Sequence, residues 1–149
     1  MSSSKQIDLK DLVPIMKEQL DQGKTVSFVP SGKSMKPMLD DGKDMIILKK
    51  PKNKLRIHDV ALYYRAEDSK YVVHRVVGFE KNGSYIMRGD NNIMKEHNIP
   101  MSDVIGVVTA YYHKGKMREV DHPLYRIYCD FWFYTCPIRA VWRRIKPRR

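Results

Sequence analysis

A succession of short, β-rich segments, each closed by turn chemistry, constrains this chain more than anything else in it. From Thr25 onward the stretches TVSFVP, DMIILKK, DVALYYR, YVVHRVVGF, GSYIMRG and VIGVVTAYY are rich in β-branched and aromatic residues, which suit a pleated, half-buried surface. Gly32, Asp41-Gly42, Pro51 to Asn53, Asn82-Gly83 and Asp90 to Asn92 separate them. Each of these favours a turn, through a positive φ, a fixed φ or a short side chain that bonds its own backbone. HKGKMREV reads as a last hairpin strand. One strand follows another with few helices between, so the expected fold is mainly β, a small, twisted, mostly antiparallel domain over residues 25–121.

Helical patterns flank that domain. Leu9, Leu12, Val13, Met16 and Leu20 recur at helical spacing in residues 8–22, with Asp8 or Asp11 as N-cap, Pro14 in the first turn and Gly23 as the stop. Residues 1–24 therefore form an N-terminal amphipathic helical segment. Pro123 opens a C-terminal tail, residues 122–149, expected to hold one or two short helices. Phe131, Trp132, Phe133 and Tyr134 are consecutive, so they cannot share one helix face, and Arg143, Arg144, Lys146, Arg148 and Arg149 close the chain.

The 149 residues allow one domain with an appendage. Apolar residues make up 42%, ordinary for a folded chain and too many for a disordered one. Lys and Arg number 28 against 17 Asp and Glu, a formal charge of +11 that attracts phosphates of nucleic acid or of anionic lipid. The first 24 residues are too short for a helix-turn-helix, and no basic stripe with interleaved aromatics lies outside the tail, so specific nucleic-acid binding is not expected. MSSSKQIDLKDLVPIMKEQL has charges scattered through it and no apolar core segment, unlike a signal peptide, which points to the cytoplasm. No window reaches the ~20 apolar residues of a spanning helix. The nearest, LYRIYCDFWFYTCPIRAVWRRI, is broken by Arg126, Asp130, Pro137 and Arg139. The tail then has two readings: a peripheral contact with the inner face of a membrane, or a helix packed on the β domain with a solvated end. Cys129 and Cys136 lack a CxxC or a matching histidine pair; on one continuous helix they lie roughly 10 Å apart, which makes reduced, buried thiols the expectation.

Polar groups that interrupt the strand pattern carry the chemical information. His74 sits inside YVVHRVVGF, where an apolar residue would cost nothing. Alone, it reads as a strand histidine satisfied by water or a carbonyl, and Asp90 in RGDNN reads as turn chemistry. Lys33 and Lys36, beside Ser34, read as solvated charges. In combination they read differently. GKSMKPML, HDVALYYR, VVHRVVGF, RGDNN and SDVIGVV, in this order across residues 25–112, resemble the signal peptidase and self-cleaving repressor superfamily of serine proteases. A histidine at the place of His74 is similar to the archaeal and endoplasmic-reticulum signal peptidases, where the bacterial enzymes and repressors hold a lysine.

The resemblance implies a serine endopeptidase on a β domain, with the site along an exposed strand edge and an extended peptide as substrate. Ser34 would be the nucleophile and His74 the general base; an imidazole titrating near ~6.5 suits that task. The third member would hold the imidazole tautomer. In the histidine-type relatives it lies in an Asp-Asp pair just beyond Gly-Asp-Asn-Asn, where this chain has Lys95 and Glu96. Glu96 is preferred slightly, with Asp90 as the fallback. Many signal peptidases offer a serine hydroxyl two residues before the nucleophile as an oxyanion donor; here that place is Gly32, with Ser31 one further back. The Ser34 N–H remains one donor, worth ~3 kcal/mol in a transition state, and Ser31, Gly32 and Met35 would meet the substrate. No metal or cofactor is expected. Signal peptidases also carry membrane helices, which this sequence lacks. The rival expectation is a noncatalytic relative that keeps the groove and binds peptides.

Overall fold

The computed structural model describes residues 8–146. Helix α1 spans Leu9–Asp21, with Asp8 as N-cap, its carboxylate accepting from the Lys10 N–H at 3.2 Å. Because the helix starts there, Pro14 lies in its second turn and not its first. The chain leaves the helix at Gly23, whose N–H bonds the Leu20 carbonyl at 3.0 Å. Val13, Met16 and Leu20 form its buried stripe.

Strands β1 (Val26–Phe28), β2 (Met45–Lys49), β3 (Val60–Arg65), β4 (Lys70–Phe79), β5 (Tyr85–Arg88), β6 (Glu96–Ile99), β7 (Val104–His113) and β8 (Lys116–Glu119) follow. They form one 8-stranded sheet in the order β1-β2-β7-β3-β4-β5-β6, with β8 paired to β7. All its pairings are antiparallel. The mainly β, antiparallel fold read from the sequence is thus the fold observed, with a helix before it and two after. Strand β6 is an addition: its residues, EHNI, carry no β-rich signature and expose His97 and Asn98, yet they pair with β5 at Tyr85↔Ile99 and Met87↔Glu96.

Both faces of the sheet are covered. Val60 and Leu62 enter one apolar cluster, with α1 and with Tyr125 and Cys129 of the tail; Ala61 and Tyr63 enter another, with Val76, Tyr85 and Met87. That is why DVALYYR reads as a continuous apolar run and not as an alternation. Each fully buried Leu or Val stabilises the fold by roughly 1.5–3 kcal/mol.

The tail folds as α2 (Pro123–Tyr134) and α3 (Cys136–Ile145), which break at Thr135. Both cysteines are free and buried, although the single helix assumed in reading their spacing is interrupted. Among the described residues no helix is long and apolar enough to cross a membrane. Arg148 and Arg149 lie outside the described residues.

Candidate active site

Ser34 stands in the loop between β1 and β2, and local bonds fix that loop at both ends. Gly32 has φ 106°, a region open to glycine and strained for other residues, and its N–H donates to Asp41 Oδ1 at 2.6 Å. That donor is therefore occupied within the loop. Asp44, buried, accepts from the Asp40 N–H at 2.8 Å and lies 2.6 Å from His113 Nδ1, which ties the loop to the β7–β8 turn. Burial works against the Asp44 carboxylate, but the bonds from Asp40, His113 and Lys114 prevail and hold its pKa below the usual value. Asp40, Asp44 and His113 bring donor atoms within 4.8 Å of one another. Hydrogen bonds already occupy Asp44 and His113, so the cluster acts as a lock on the loop.

A second support comes from the turn after β5. The Asn91 N–H donates to the Ser34 carbonyl at 2.8 Å, and Asn91 Nδ2 donates to the Lys33 carbonyl at 3.1 Å. Gly89 makes the approach feasible: a Cβ there would meet Ser34 O at 2.6 Å and Ser34 Cβ at 3.0 Å. Strands β4 and β5 are in register as far as Arg75↔Arg88, and one step further sets Gly89 opposite His74. Directly opposed residues share a face, with Cβ atoms about 4.5–5.5 Å apart. Ser34, packed against Gly89, therefore stands near the His74 end of β4. Ser31, Gly32, Ser34, Met35, His74 and Asn92 line one groove of about 990 Å³. Met35 also reaches into the core beneath, where it is 4% exposed.

The His74 ring is held from one side. Glu96 Oε1 lies 2.6 Å from Nδ1, and the Tyr63 hydroxyl lies 3.2 Å from the same nitrogen. Among the described residues Nε2 has no hydrogen-bond partner, Ser34 Oγ included. Glu96 in turn accepts from the Tyr63 O–H at 2.6 Å and from Arg65 Nη1 at 3.1 Å, and Arg65 is itself clamped by Asp68 at 2.8 and 2.6 Å. Burial raises the Glu96 pKa, but the bonds from His74 and Tyr63 and the charges of His74 and Arg65 outweigh it, so it falls below the ordinary carboxyl value. The Tyr63 hydroxyl moves far upward, through burial first and then its bond to Glu96, and keeps its proton to donate.

The sign of the Glu96 shift fixes a pH dependence. A carboxyl whose folded pKa is depressed adds stability that is complete above its unfolded value, ~4.3, and is lost as pH falls through the folded value. Glu96→Gln is expected to cost on the order of 1 kcal/mol at neutral pH, allowing for partial solvent screening. Urea unfolding of both proteins between pH ~7 and ~3 should show the difference shrinking in the acid range; a difference that widens there contradicts the assignment.

Asp90 lies elsewhere. Its carboxylate takes Arg75 Nε and Nη2, each at 2.7 Å, and the Tyr128 O–H at 2.8 Å. Its backbone carbonyl accepts from Trp132 Nε1 and from Arg139 Nη1. Of the two candidate acids, Glu96 contacts the imidazole and Asp90 braces the turn beneath Ser34. Lys33 and Lys95 are exposed and Lys36 is half-buried. Tyr63, Arg65 and Arg75 were not singled out as site residues from sequence. Arg75 offered one signal, a charge beside His74 and two valines in HRVV; Tyr63 offered none, being a natural strand residue.

Two strand edges open on the groove. Strand β1 pairs with β2 alone, and β4 pairs with β5 only from Arg75 onward, so β4 has an open edge along residues 70–74. Phe28 at one side and Tyr71 to His74 at the other line the same groove. No family model matches the chain, and no curated protein matches it.

Proposed function

We propose that the chain is a serine endopeptidase of the signal-peptidase-like, histidine-dependent kind that its sequence resembles. The observation that carries this reading is the bond from Glu96 to His74 Nδ1. It fixes the tautomer with the proton on Nδ1 and leaves Nε2, in the groove shared with Ser34, as a base. A buried strand histidine needs no carboxylate that is itself held by a tyrosine and an arginine.

The roles follow. An extended peptide adds as a strand along the open edge of β4, so that main-chain bonds hold it and alternate side chains enter the groove. Ser34 Oγ attacks the scissile carbonyl carbon while His74 Nε2 takes its proton. Glu96 stabilises the imidazolium so formed. The Ser34 N–H has no acceptor among the described residues and is free to donate to the oxyanion. His74 then returns the proton to the leaving amine, and a water deprotonated by the same imidazole attacks the acyl-serine, which restores Ser34 and releases the acid.

Incubation with a fluorophosphonate, followed by intact-mass measurement and peptide mapping, tests the reading. Wild-type protein should gain one adduct, on Ser34, and Ser34→Ala none. A folded but unlabelled wild type would overturn the enzyme reading and leave a peptide-binding module on the same groove.

A further inference from the structure

The two C-terminal helices have opposite faces of different character. One face docks on the β domain: Tyr125, Cys129 and Cys136 are buried, and Tyr128, Trp132 and Arg139 bond Asp90. The other carries Leu124, Ile127, Phe131, Tyr134, Ile138, Val141, Trp142 and Ile145, spaced by three and four residues, each between 56% and 72% exposed. The spacing places them along one stripe that continues across the break at Thr135. Large apolar side chains left in water along two successive helices are far more than the scattered exposure normal for a surface.

We infer that this stripe seats the protein on the surface of an anionic lipid bilayer, with the helices lying in the interface and not across it. The charge flanking the stripe selects this occupant. Apart from Arg139 on the docked face, the cations of α2 and α3 are the exposed Arg126, Arg143 and Arg144, followed by Lys146, while the sole acid is Asp130, which is paired to His58 at 2.9 Å. A partner helix seated in a coiled-coil seam would be met by flanks of mixed sign and by an unbroken helix. Here the flanks are basic, and Pro137 and Thr135 interrupt the helix. Exposed Phe131, Tyr134 and Trp142 supply the aromatic rings that settle at headgroup depth, and apolar area with basic flanks is the composition of interfacial helices.

Seating here would bear on the groove. Arg143 donates to the Asn91 carbonyl and to its side-chain oxygen at 2.7 and 2.6 Å, and Asn91 holds Ser34. The helices that would meet the bilayer thus also grip the turn that supports Ser34. The lipid contact stands independently of the peptidase reading.

Co-sedimentation with vesicles of phosphatidylcholine alone, or containing 30 mol per cent phosphatidylglycerol, tests it on the full chain. Wild type should partition to the anionic vesicles at least tenfold better than to the neutral ones, with Trp fluorescence quenched by brominated acyl chains. The triple variant Ile127→Gln, Phe131→Gln, Ile138→Gln should lose tenfold or more while keeping its thermal unfolding midpoint and its fluorophosphonate labelling. Trp142→Phe should still bind but lose most of the quenching. Three results would overturn the inference: no anionic binding by wild type, equal binding by the triple variant (basicity alone), or a wild-type dimer in sedimentation that the triple variant converts to monomer.

Discussion

His74→Ala is expected to slow phosphonylation of Ser34 by about three to four orders of magnitude, and Glu96→Gln by a smaller factor of about 10² to 10³, if the proposed peptidase chemistry holds. The double variant His74→Ala, Glu96→Gln should be no slower than His74→Ala alone. This lack of additivity is the informative result, because Glu96 contacts Nδ1 of the imidazole and has nothing to act through once the ring is gone. Second-order rate constants for a fluorophosphonate, read by stopped reaction and mass spectrometry, give all three values. Full multiplication of the two single effects would mean that Glu96 reaches Ser34 or the substrate independently of His74. Asp90→Asn, examined at a temperature where it stays folded, separates the two acids. Its effect should come through a looser Ser34 turn and should persist undiminished on the His74→Ala background.

The parts of the fold that the sequence made legible are those whose physics is local. Strand after strand with turn residues between them leaves few alternatives to an antiparallel sheet, and the amphipathic period of residues 8–22 reads directly as α1. What escaped depends on distant partners. EHNI has one apolar residue, Ile99, and becomes β6 only because β5 offers it an edge. That pairing, at Met87↔Glu96, is also what carries Glu96 to the imidazole. In sequence, Glu96 and Asp90 were nearly equivalent carboxylates after a strand; three-dimensional register separates them, one facing His74 and the other facing Arg75. Tyr63 illustrates the same limit, since its role rests on a hydroxyl that only the position of Glu96 explains. The tail's two readings, membrane contact and packing on the β domain, describe opposite faces of the same helices: the docked face is observed, and the exposed one is the inferred lipid contact.

Asp90→Asn should lower stability by about 3–5 kcal/mol, a fall of roughly 10 °C or more in the unfolding midpoint. Arg75 is 3% exposed and Asp90 likewise 3%, so removing the carboxylate's charge leaves a guanidinium in the interior without a counter-ion. Its remaining contacts are weaker acceptors: the His58 carbonyl at 2.9 Å, the Tyr125 hydroxyl at 2.9 Å, Cys129 Sγ at 3.0 Å and Met38 Sδ at 3.2 Å. None of them neutralises the cation. The penalty is therefore one of stranding a charge and not the net worth of the pair, and the distinction is testable. Arg75→Met combined with Asp90→Leu removes both charges at similar volume and should recover at least half of the loss in urea unfolding, although the Tyr128 hydroxyl then loses its acceptor. If the double variant is as unstable as the two single changes added together, the ion pair contributes net stability of its own. If it recovers, the pair is held for a different reason: it joins β4, the Gly89 to Asn92 turn and α2 at one buried point, so that the strand carrying His74 and the turn supporting Ser34 keep a fixed separation.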